Sequence, residues 1–597
     1  GSCMHRSKLF KLLIAFLALT MFATACGGSD DDSSSSADSS SASETADNSS
    51  ESSASEATED EEAPAEEEAP AEEEAPAEEE APIVTEQEES VLEPVYGGTL
   101  RWGLEAEVDG INPTASALSS PGLTMMNAVF DTLAAFDTDG NWVAFLAKSF
   151  SPNADCTVWT MTLREGVNFH DGTPLNTEAV QTNFLAQFSD PLVGLAVRPF
   201  FASAEEALTI TDDLTMSFNL VDSNCSFPSS LTGQLGAVAS PAWLAAALED
   251  PTLDQEPVGT GPFSFDSRTQ DSVTKFVKNQ NYWGGDIYLD AVEFYPVTDP
   301  DVRASLLIEG ELDALQTTNP SSILTLDEGG VTQVLDDTGD ESFLMLNSAQ
   351  PPFDDIRARQ AITHATPRDN YNTLINLDVT TKADQMFTSA SPFYNPDVVQ
   401  LSDRPELAGP LVDSYCADNP GNCSDGKINI EYQYSGPSVV GERVADLLTE
   451  GWSDFFNVTV EVLPQDAHIQ QAALGLYNSI GWRQFGAVNP GDDRVWLMCR
   501  NIGGISLNWP RYCDEERDAL ILEADAQKTI EDKAPLYQEL VQKINEDYLY
   551  VFYNHTLWSI ALADGVENLC GVTTPEGVKM RCAINGRTFY QSTFIAD

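Results

Sequence analysis

A long acidic segment near the amino terminus limits which part of this chain can fold. Residues 27–94 contain 25 acidic side chains and no basic one, and the motif AEEEAP occurs three times in succession between Ala65 and Pro82. Because this segment has little apolar surface to bury and strong repulsion between like charges, it cannot offset the entropy lost on ordering. We therefore expect residues 26–96 to be a disordered acidic tether and the folded region to lie within residues 97–597. An acidic tail that binds a basic partner is the alternative.

The residues before this tether have the features of an export signal. A basic start is followed by the apolar run LLIAFLALTMFATA, which ends at Ala25 and is too short to span a bilayer comfortably. The next residue, Cys26, completes the sequence ATAC, which resembles the bacterial lipobox. We therefore interpret residues 1–25 as a lipoprotein signal peptide and Cys26 as the site of lipid attachment, with a plain secretory signal as the alternative. Residues 1–3 precede Met4 and are interpreted as a cloning remnant.

The folded region is itself strongly acidic, which restricts its partners. The chain carries 96 acidic and 29 basic residues. Without the signal peptide and the tether, 71 acidic and 26 basic residues remain, a net charge of −45. Nucleic acid is therefore excluded as a partner, because no basic surface is available to neutralise phosphates. We interpret the acidity as a property of the whole surface that favours solubility.

The motifs of common enzymes and metal sites do not occur in the sequence. It contains no G-x-S-x-G nucleophile elbow, no P-loop and no H-E-x-x-H zinc motif. The five histidines are scattered without ligand spacing, and no C-x-x-C pair occurs. We therefore expect a protein that is not an enzyme and that needs no metal or cofactor.

The cysteine count fits an exported protein. Eight cysteines remain when Cys3 and Cys26 are set aside, and an even number in an exported chain suggests four disulfides. Connectivity does not follow from the count, and we predict pairing in sequence order. The first pair flanks two alternating stretches, CTVWTMTL and TMSFNL, that could pair as strands. The eight candidates are Cys156, Cys225, Cys416, Cys423, Cys499, Cys513, Cys570 and Cys582.

Short strand patterns alternate with helical patterns along the folded region. The segment ARQAITHA follows Asp354 and Asp355, which are candidate helix caps. Leu536, Leu540 and Ile544 have the spacing of one face of a helix. Such alternation favours a mixed α/β architecture.

Six motifs occur in an order that is typical of one protein family. They are GGTLRW from Gly97, LREGVNFHDGTPL from Leu163, GTGPF from Gly259, NYWGG from Asn281, EGELD from Glu309 and PPFDDIRARQA from Pro351. In this order and spacing they resemble the bacterial extracellular solute-binding proteins of family 5, the peptide, oligopeptide and nickel type that feed ABC importers. The glycines of GTGPF would let two backbone segments pass closely. His170, within FHDG, is interpreted as a hydrogen-bonded structural residue.

The resemblance implies the fold and its boundaries. It implies an α/β, two-lobed periplasmic-binding-protein-like clamp of class II, with mixed sheets and an extra subdomain. Crossings of the chain near Glu341 and Tyr553 would act as the hinge, and the ligand would sit between the lobes. The implied boundaries are residues 97–140, 260–340 and 553–597 for lobe I, 141–259 for the extra subdomain and 341–552 for lobe II.

The resemblance also indicates a ligand-binding segment in the second lobe. In family members that bind peptides, an aspartate of this lobe pairs with the amino terminus of the ligand. The corresponding segment here is WRQFGAVNPGDD, and Val488 occupies the position of that aspartate. This departure argues against an ordinary peptide ligand, unless Asp492 or Asp493 serves instead.

Aromatic and basic residues of this segment are the leading candidate contacts. Trp482 and Phe485 can supply apolar walls, and Arg483 can offer a planar fork to a carboxylate. Core packing of the aromatic residues and a surface ion pair of the arginine are the alternatives. Three further aromatic residues are weaker candidates: Trp496, Trp509 and Tyr553.

A second candidate patch lies in the first lobe. Ser119, Ser120 and Met126 occupy a position that resembles the first-lobe loop of the family's cleft. The hydroxyls could hydrogen-bond a ligand, and the flexible thioether could adapt to its shape. The alternative is a capped helix whose methionines lie in the core.

These features together predict a lipid-anchored, monomeric capture protein at the extracytoplasmic face of the bacterial cell membrane. It would bind a peptide or peptide-like small molecule between its lobes and deliver it unchanged to the transmembrane subunits of an ABC permease. A tether would keep the clamp at high effective concentration beside that permease. A ligand-presenting receptor or sensor is the alternative function, and a secreted hydrolase is a weaker one.

Overall fold

The computed structural model describes residues 92–108, 110–116, 118–485 and 487–596. The predicted signal peptide, the predicted lipid attachment site Cys26 and the predicted tether up to residue 91 lie outside these residues.

The strands of the described residues define five sheets. In chain order they are β1 (Thr99–Leu104), β2 (Ala134–Phe136), β3 (Trp142–Ala144), β4 (Ala147–Pro152), β5 (Val158–Leu163), β6 (Leu208–Ile210), β7 (Thr215–Asn219), β8 (Phe263–Thr269), β9 (Val273–Lys278), β10 (Ala291–Pro296), β11 (Ala314–Thr317), β12 (Thr332–Asp336), β13 (Glu341–Leu346), β14 (Cys423–Ser424), β15 (Lys427–Ser435), β16 (Phe456–Leu463), β17 (Ser479–Gln484), β18 (Tyr550–His555), β19 (Trp558–Leu562), β20 (Val566–Glu567) and β21 (Phe594–Ile595).

Helices separate many of these strands. In chain order the α-helices of the described residues are α1 (Ser120–Val129), α2 (Thr177–Ser189), α3 (Val193–Val197), α4 (Ala204–Ala207), α5 (Pro241–Glu249), α6 (Pro300–Ile308), α7 (Pro320–Glu328), α8 (Ile356–Ala365), α9 (Arg368–Leu374), α10 (Pro405–Asp418), α11 (Val439–Trp452), α12 (Gln465–Leu474), α13 (Arg494–Leu497), α14 (Glu515–Asp525) and α15 (Ile530–Glu546). This mixture of helices and strands confirms the predicted α/β class. Helix α8 carries the predicted cap, since the side chain of Asp355 accepts a hydrogen bond from the backbone N–H of Arg357.

Lobe I is built on a seven-stranded mixed sheet with the order β12-β19-β11-β1-β10-β9-β8. The central strand β1 pairs in parallel with both β10 and β11. Leu100, Trp102 and Leu104 alternate along β1 and are buried, as expected for one face of a strand. Helix α1 shares their hydrophobic cluster.

Lobe II is built on a six-stranded mixed sheet. Its order is β14-β15-β17-β13-β18, and β16 pairs in parallel with β15. Strand β13 lies antiparallel between β17 and β18. Tyr415, Tyr432 and Trp452 are fully buried in the hydrophobic cluster beside this sheet.

The extra subdomain contains an antiparallel sheet with the order β4-β5-β7-β6. Strands β5 and β7 pair as the sequence predicts, with Trp159 opposite Phe218 and Met161 opposite Met216. These four side chains are buried in one cluster, because residues two apart on a strand point to the same face.

Four disulfides link the eight candidate cysteines in sequence order, which confirms the predicted pairing. The pairs are Cys156–Cys225, Cys416–Cys423, Cys499–Cys513 and Cys570–Cys582.

The chain passes between the two large sheets at two neighbouring places. It leaves the lobe I sheet after Asp336 and enters the lobe II sheet at Glu341, and it returns between His555 and Trp558. The two crossings touch, since the backbone N–H of Thr556 donates to the carbonyl oxygen of Asp340 at 2.7 Å.

The GTGPF motif is a point of close backbone approach, as predicted. A side-chain carbon at Gly259 would lie 2.2 Å from the carbonyl oxygen of Val129, so only glycine fits there.

His170 packs against this loop. Its Nδ1 accepts a hydrogen bond from the N–H of Gly259, and its Nε2 lies 3.0 Å from the carbonyl oxygen of Gly261. These contacts agree with the interpretation of His170 as a structural residue.

The NYWGG motif meets the same loop through one buried carboxyl group. Asp131 accepts hydrogen bonds from the hydroxyls of Thr260 and Tyr282 and from Nε1 of Trp283. Burial raises the pKa of Asp131 to about 6, although these three donors favour its ionised form. Two of the family motifs therefore converge on a scaffold contact inside lobe I.

No helix among the described residues is long and apolar enough to cross a membrane.

Candidate functional site

A cleft of about 720 Å³ lies between the two lobes. Lobe I contributes the start of α1, Trp558 and a turn near the carboxyl terminus, whereas lobe II contributes strands β13, β15 and β17 and helices α11 and α12. Both lobes and the chain crossing at Asp340 thus face one shared space.

The cleft brings together most of the residues that the sequence singles out. Five of the six candidate ligand contacts line it, and so do the three weaker aromatic candidates. These residues are Ser119, Ser120, Trp482, Arg483, Phe485, Trp496, Trp509 and Tyr553.

The sixth candidate, Met126, does not line the cleft. Its side chain is fully buried in the hydrophobic cluster of lobe I, beside Met125 and Trp102. The reason is the direction of α1: Ser119 and Ser120 lie at the end of the helix that reaches the cleft, while the later turns pack on the sheet. Both methionines therefore lie in the core, which was the alternative interpretation of this patch. Ser119 occupies the N-cap position, but its side chain makes no capping hydrogen bond.

Lobe II supplies an aromatic wall. The ring of Trp482 stacks on His468 at 4.8 Å and meets Trp509 edge-on at 4.3 Å, and Trp509 in turn lies 5.1 Å from Trp496. Burial lowers the pKa of His468 to about 4, so this imidazole is neutral near pH 7. The wall therefore offers flat, uncharged surface to a ligand.

Arg483 is already paired in the structure. Its Nε lies 2.9 Å from Asp340, and its two terminal nitrogens reach Glu105 and Thr318 of lobe I, each at 3.2 Å. The guanidinium carbon also lies 4.6 Å from the centre of a Trp558 ring. Arg483 thus bridges lobe II, the crossing and lobe I, so its guanidinium is less available to a ligand carboxylate than the sequence suggests.

The crossing segments also contain a buried pair of neutral groups. Nδ1 of His555 lies 3.0 Å from Oε1 of Glu341. Burial raises the pKa of Glu341 well above its usual range and lowers the pKa of His555 to about 4. The contact is therefore a hydrogen bond between uncharged groups rather than an ion pair.

Phe485 belongs more to the core than to the cleft surface. It follows the end of β17 with φ +69°, a left-handed conformation that is unfavourable for a bulky side chain. Its ring packs against Phe343 at 5.5 Å and Tyr550 at 5.0 Å. These contacts hold the strained residue in place at the edge of the cleft.

A smaller cavity of about 330 Å³ adjoins the cleft. Val488, Asp492 and Asp493 line it, so the segment in which the family's aspartate was expected faces this second space. The carboxyl of Asp492 accepts hydrogen bonds from Ser229 and Ser230 of the extra subdomain. Burial raises the pKa of Asp492 to about 7 and the pKa of Asp493 well above its usual range.

Five residues line both cavities and form what we call the neck: Gln484, Phe485, Trp496, Asn585 and Arg587.

Sequence reasoning missed several residues of the cleft, namely Asp340, Trp558, Asn585 and Arg587. Asp340 lies next to the predicted crossing at Glu341, and this position could have identified it as a cleft residue. Arg587 lies in the turn NGR, whose glycine at position 586 has positive φ, but nothing local to this turn points to a cleft.

The part of the chain that the structure describes holds no cluster of three or more histidine, cysteine or acidic side chains with the geometry of a metal site.

Comparisons with known proteins agree with this architecture. The family model described as bacterial extracellular solute-binding proteins, family 5 middle, matches residues 141–503. Heme-binding protein A of Haemophilus influenzae is 26% identical over 417 residues, which cover 66% of this chain and 75% of that protein. Di/tripeptide-binding protein 2 of Pseudomonas aeruginosa is 23% identical over 485 residues, which cover 77% of this chain and 90% of that protein.

A solved structure shows the same fold. The ABC transporter-associated periplasmic binding protein DppA from Helicobacter pylori, in complex with the peptide STSA, aligns with a TM-score of 0.72 and 20% identity. The alignment covers 84% of this chain and 99% of that protein, which confirms the two-lobed periplasmic-binding-protein-like clamp. Since the family model also matches more than half of the sequence, the chain belongs to the bacterial extracellular solute-binding proteins of family 5.

Proposed function

We propose that the protein captures an extracellular peptide or peptide-like small molecule between its lobes and delivers it unchanged to an ABC permease. The observation that carries this proposal is the cleft of about 720 Å³, which is lined by both lobes and by the chain crossing. Its volume lies in the range of ordinary small-molecule sites, and aromatic rings form one of its walls.

Polar groups in and beside the cleft suit a peptide. Ser119 presents a hydroxyl from lobe I, whereas the hydroxyl of Ser120 already donates to the carbonyl oxygen of Asn585 at 2.6 Å. Asp492 and Asp493 in the smaller cavity could accept hydrogen bonds from an ammonium group, although Val488 replaces the expected aspartate. Support also comes from the relatives, since one is named as a di/tripeptide-binding protein and DppA holds a peptide.

Ligand binding would favour closure of the lobes. We infer that they rotate about the paired crossings, residues 337–340 and 556–557, because these are the only segments of the described chain that join the large sheets directly. A ligand that touches both lobes has higher affinity for the closed form and shifts the population toward it. The closed surface would then be the one that the permease recognises.

The amino-terminal segment would keep the clamp at the membrane. We propose that Cys26 carries the lipid, that residues 26–96 act as the tether and that the monomer works at the extracytoplasmic face of the membrane. Proximity raises the effective concentration of the loaded protein beside the permease.

Binding without turnover tests this function. The ligand-free protein is screened by thermal shift against dipeptides and tripeptides, and each stabilising compound is recovered and identified by mass spectrometry. We expect at least one peptide to raise the melting temperature and to be recovered intact. Hydrolysis of that peptide would contradict a pure binding role.

A pair of aromatic variants, one inside and one outside the cleft, tests where the ligand binds. Trp482→Ala removes a cleft ring, and we expect it to weaken binding of the same peptide by at least about 1 kcal/mol. Tyr96→Ala removes an exposed aromatic ring outside the cleft and should leave calorimetric affinity unchanged. Equal affinity in wild type and Trp482→Ala would place the binding site elsewhere.

A further inference from the structure

Arg587 is an unpaired cation at the neck. Within the described part of the chain, its guanidinium has no hydrogen-bond or ion-pair partner, and its backbone bonds only to Ile584. Burial lowers the pKa of Arg587 to about 10, with only the more distant Asp336 favouring the charge. A partly buried charge without a partner costs folding free energy, so its presence calls for an occupant of the adjoining space.

The neighbouring charges are satisfied by other groups. Asp336, the acid that acts on Arg587 from a distance, already binds Arg581 at 3.3 Å, Thr338 at 2.6 Å and the backbone N–H of Asn585 at 3.1 Å. Arg483, the other arginine of the cleft, is held by Asp340 and Glu105. In a protein with 96 acidic and 29 basic residues, a cleft arginine without a carboxylate is therefore unexpected.

The neck also presents an aromatic surface beside this cation. Trp496 lines the same space as Arg587. An arginine fork next to an indole matches a carboxylate attached to an apolar group.

We propose that Arg587 binds a carboxylate of the captured solute at the neck and so selects ligands with a free carboxylate group. This inference rests on the proposed capture function and narrows its ligand class to carboxylate-bearing peptides and related acids.

Matched ligands and variants test the role of Arg587. A set of dipeptides and tripeptides is titrated into the full chain by calorimetry, each peptide as free acid and as carboxyl-terminal amide, and 3-phenylpropionate is titrated as a simple carboxylate. We expect amidation to weaken binding at least about tenfold in wild type, as loss of a charge-assisted pair does. Arg587→Gln should weaken the free acids by a similar factor, leave the amides unchanged and abolish the difference between them.

Two further variants separate this role from folding and from general charge. Arg587→Lys keeps the charge but lacks the fork, so its affinity for free acids should lie between those of wild type and Arg587→Gln. Arg404→Gln removes an exposed arginine outside the cleft and should behave as wild type. The ligand-free Arg587→Gln protein should melt no lower than wild type, because the lost charge has no partner.

The outcomes distinguish this inference from the proposed function. Peptides that bind equally as acid and amide, or that bind Arg587→Gln as well as wild type, overturn the role of Arg587 and leave capture intact. Binding of 3-phenylpropionate that depends on Arg587, without binding of any peptide, supports the carboxylate site and contradicts the peptide ligand. If neither probe class binds, both proposals are overturned.

Discussion

Two arginines of the cleft show how pairing decides what a charged side chain can do. Arg483 has carboxylates of Asp340 and Glu105 within 3.2 Å, so its charge serves the contact between lobes. Arg587 has no such partner within the described residues, so its charge is free for a ligand. The sequence does not distinguish these two roles, and only the contacts in the folded protein separate them.

Asp492 should make stability depend on pH. Its pKa is about 7 in the folded protein and near 3.8 in the unfolded chain, because burial disfavours the ionised carboxylate. The folded state therefore binds this proton more tightly, and the associated stability is lost as pH rises through about 7. We expect the free energy of unfolding in urea to fall by on the order of 1 kcal/mol from this group between pH 6.5 and pH 8.

Two histidines act in the opposite direction over the same pH range. His468 and His555 have pKa values of about 4 when folded and about 6.5 when unfolded, so they contribute stability that is lost as pH falls through about 6.5. This opposing change is the same in wild type and in Asp492→Asn, so the comparison of the two proteins isolates the contribution of Asp492. Asp492→Asn should reduce the decline between pH 6.5 and pH 8, while Asp213→Asn, which changes an exposed carboxyl, should not. An identical decline in wild type and Asp492→Asn would contradict the pKa assignment.

Secondary-structure elements that depend on a local residue pattern were predictable from the sequence. The environment of a side chain was not predictable where it depends on contacts with distant parts of the chain. Strands β5 and β7 alternate apolar and polar residues, and α8 has an aspartate before its first turn, so both are readable from a few neighbouring residues. Whether Met126 faces the core or the cleft depends on which sheet α1 packs against. Arg587 stays unpaired in part because Asp336 pairs instead with Arg581, a contact between residues 245 apart in the chain.

The disulfides should stabilise their elements unequally. Cys156–Cys225 closes a separation of 69 residues, whereas Cys416–Cys423 closes only 7. Restricting a longer loop removes more entropy from the unfolded chain, by about 4 kcal/mol for the first and about 2.5 kcal/mol for the second. In urea unfolding, Cys156→Ser with Cys225→Ser should therefore cost more stability than Cys416→Ser with Cys423→Ser. Equal losses, or the reverse order, would show that native contacts rather than loop closure dominate.

At the scale of the whole described region, two large sheets are joined by two touching crossings, with a cleft where the lobes meet. This architecture was predictable from the family motifs. Two of them, GTGPF and NYWGG, form structural contacts inside lobe I such as the one at Asp131. Aromatic residues of the cleft were also predictable from the segment WRQFGAVNPGDD. The neck was not, since it joins lobe II to the carboxyl-terminal turn of lobe I across about one hundred residues.

The central claim is that one solute is held by both lobes at once, and hydrogen–deuterium exchange tests it most directly. Exchange is measured with and without the free-acid peptide that raises the melting temperature most. We expect added protection in three segments that line the cleft: residues 118–123 of lobe I, residues 479–485 of lobe II and the turn at residues 585–587. Protection confined to one lobe, or placed away from these segments, would contradict capture between the lobes.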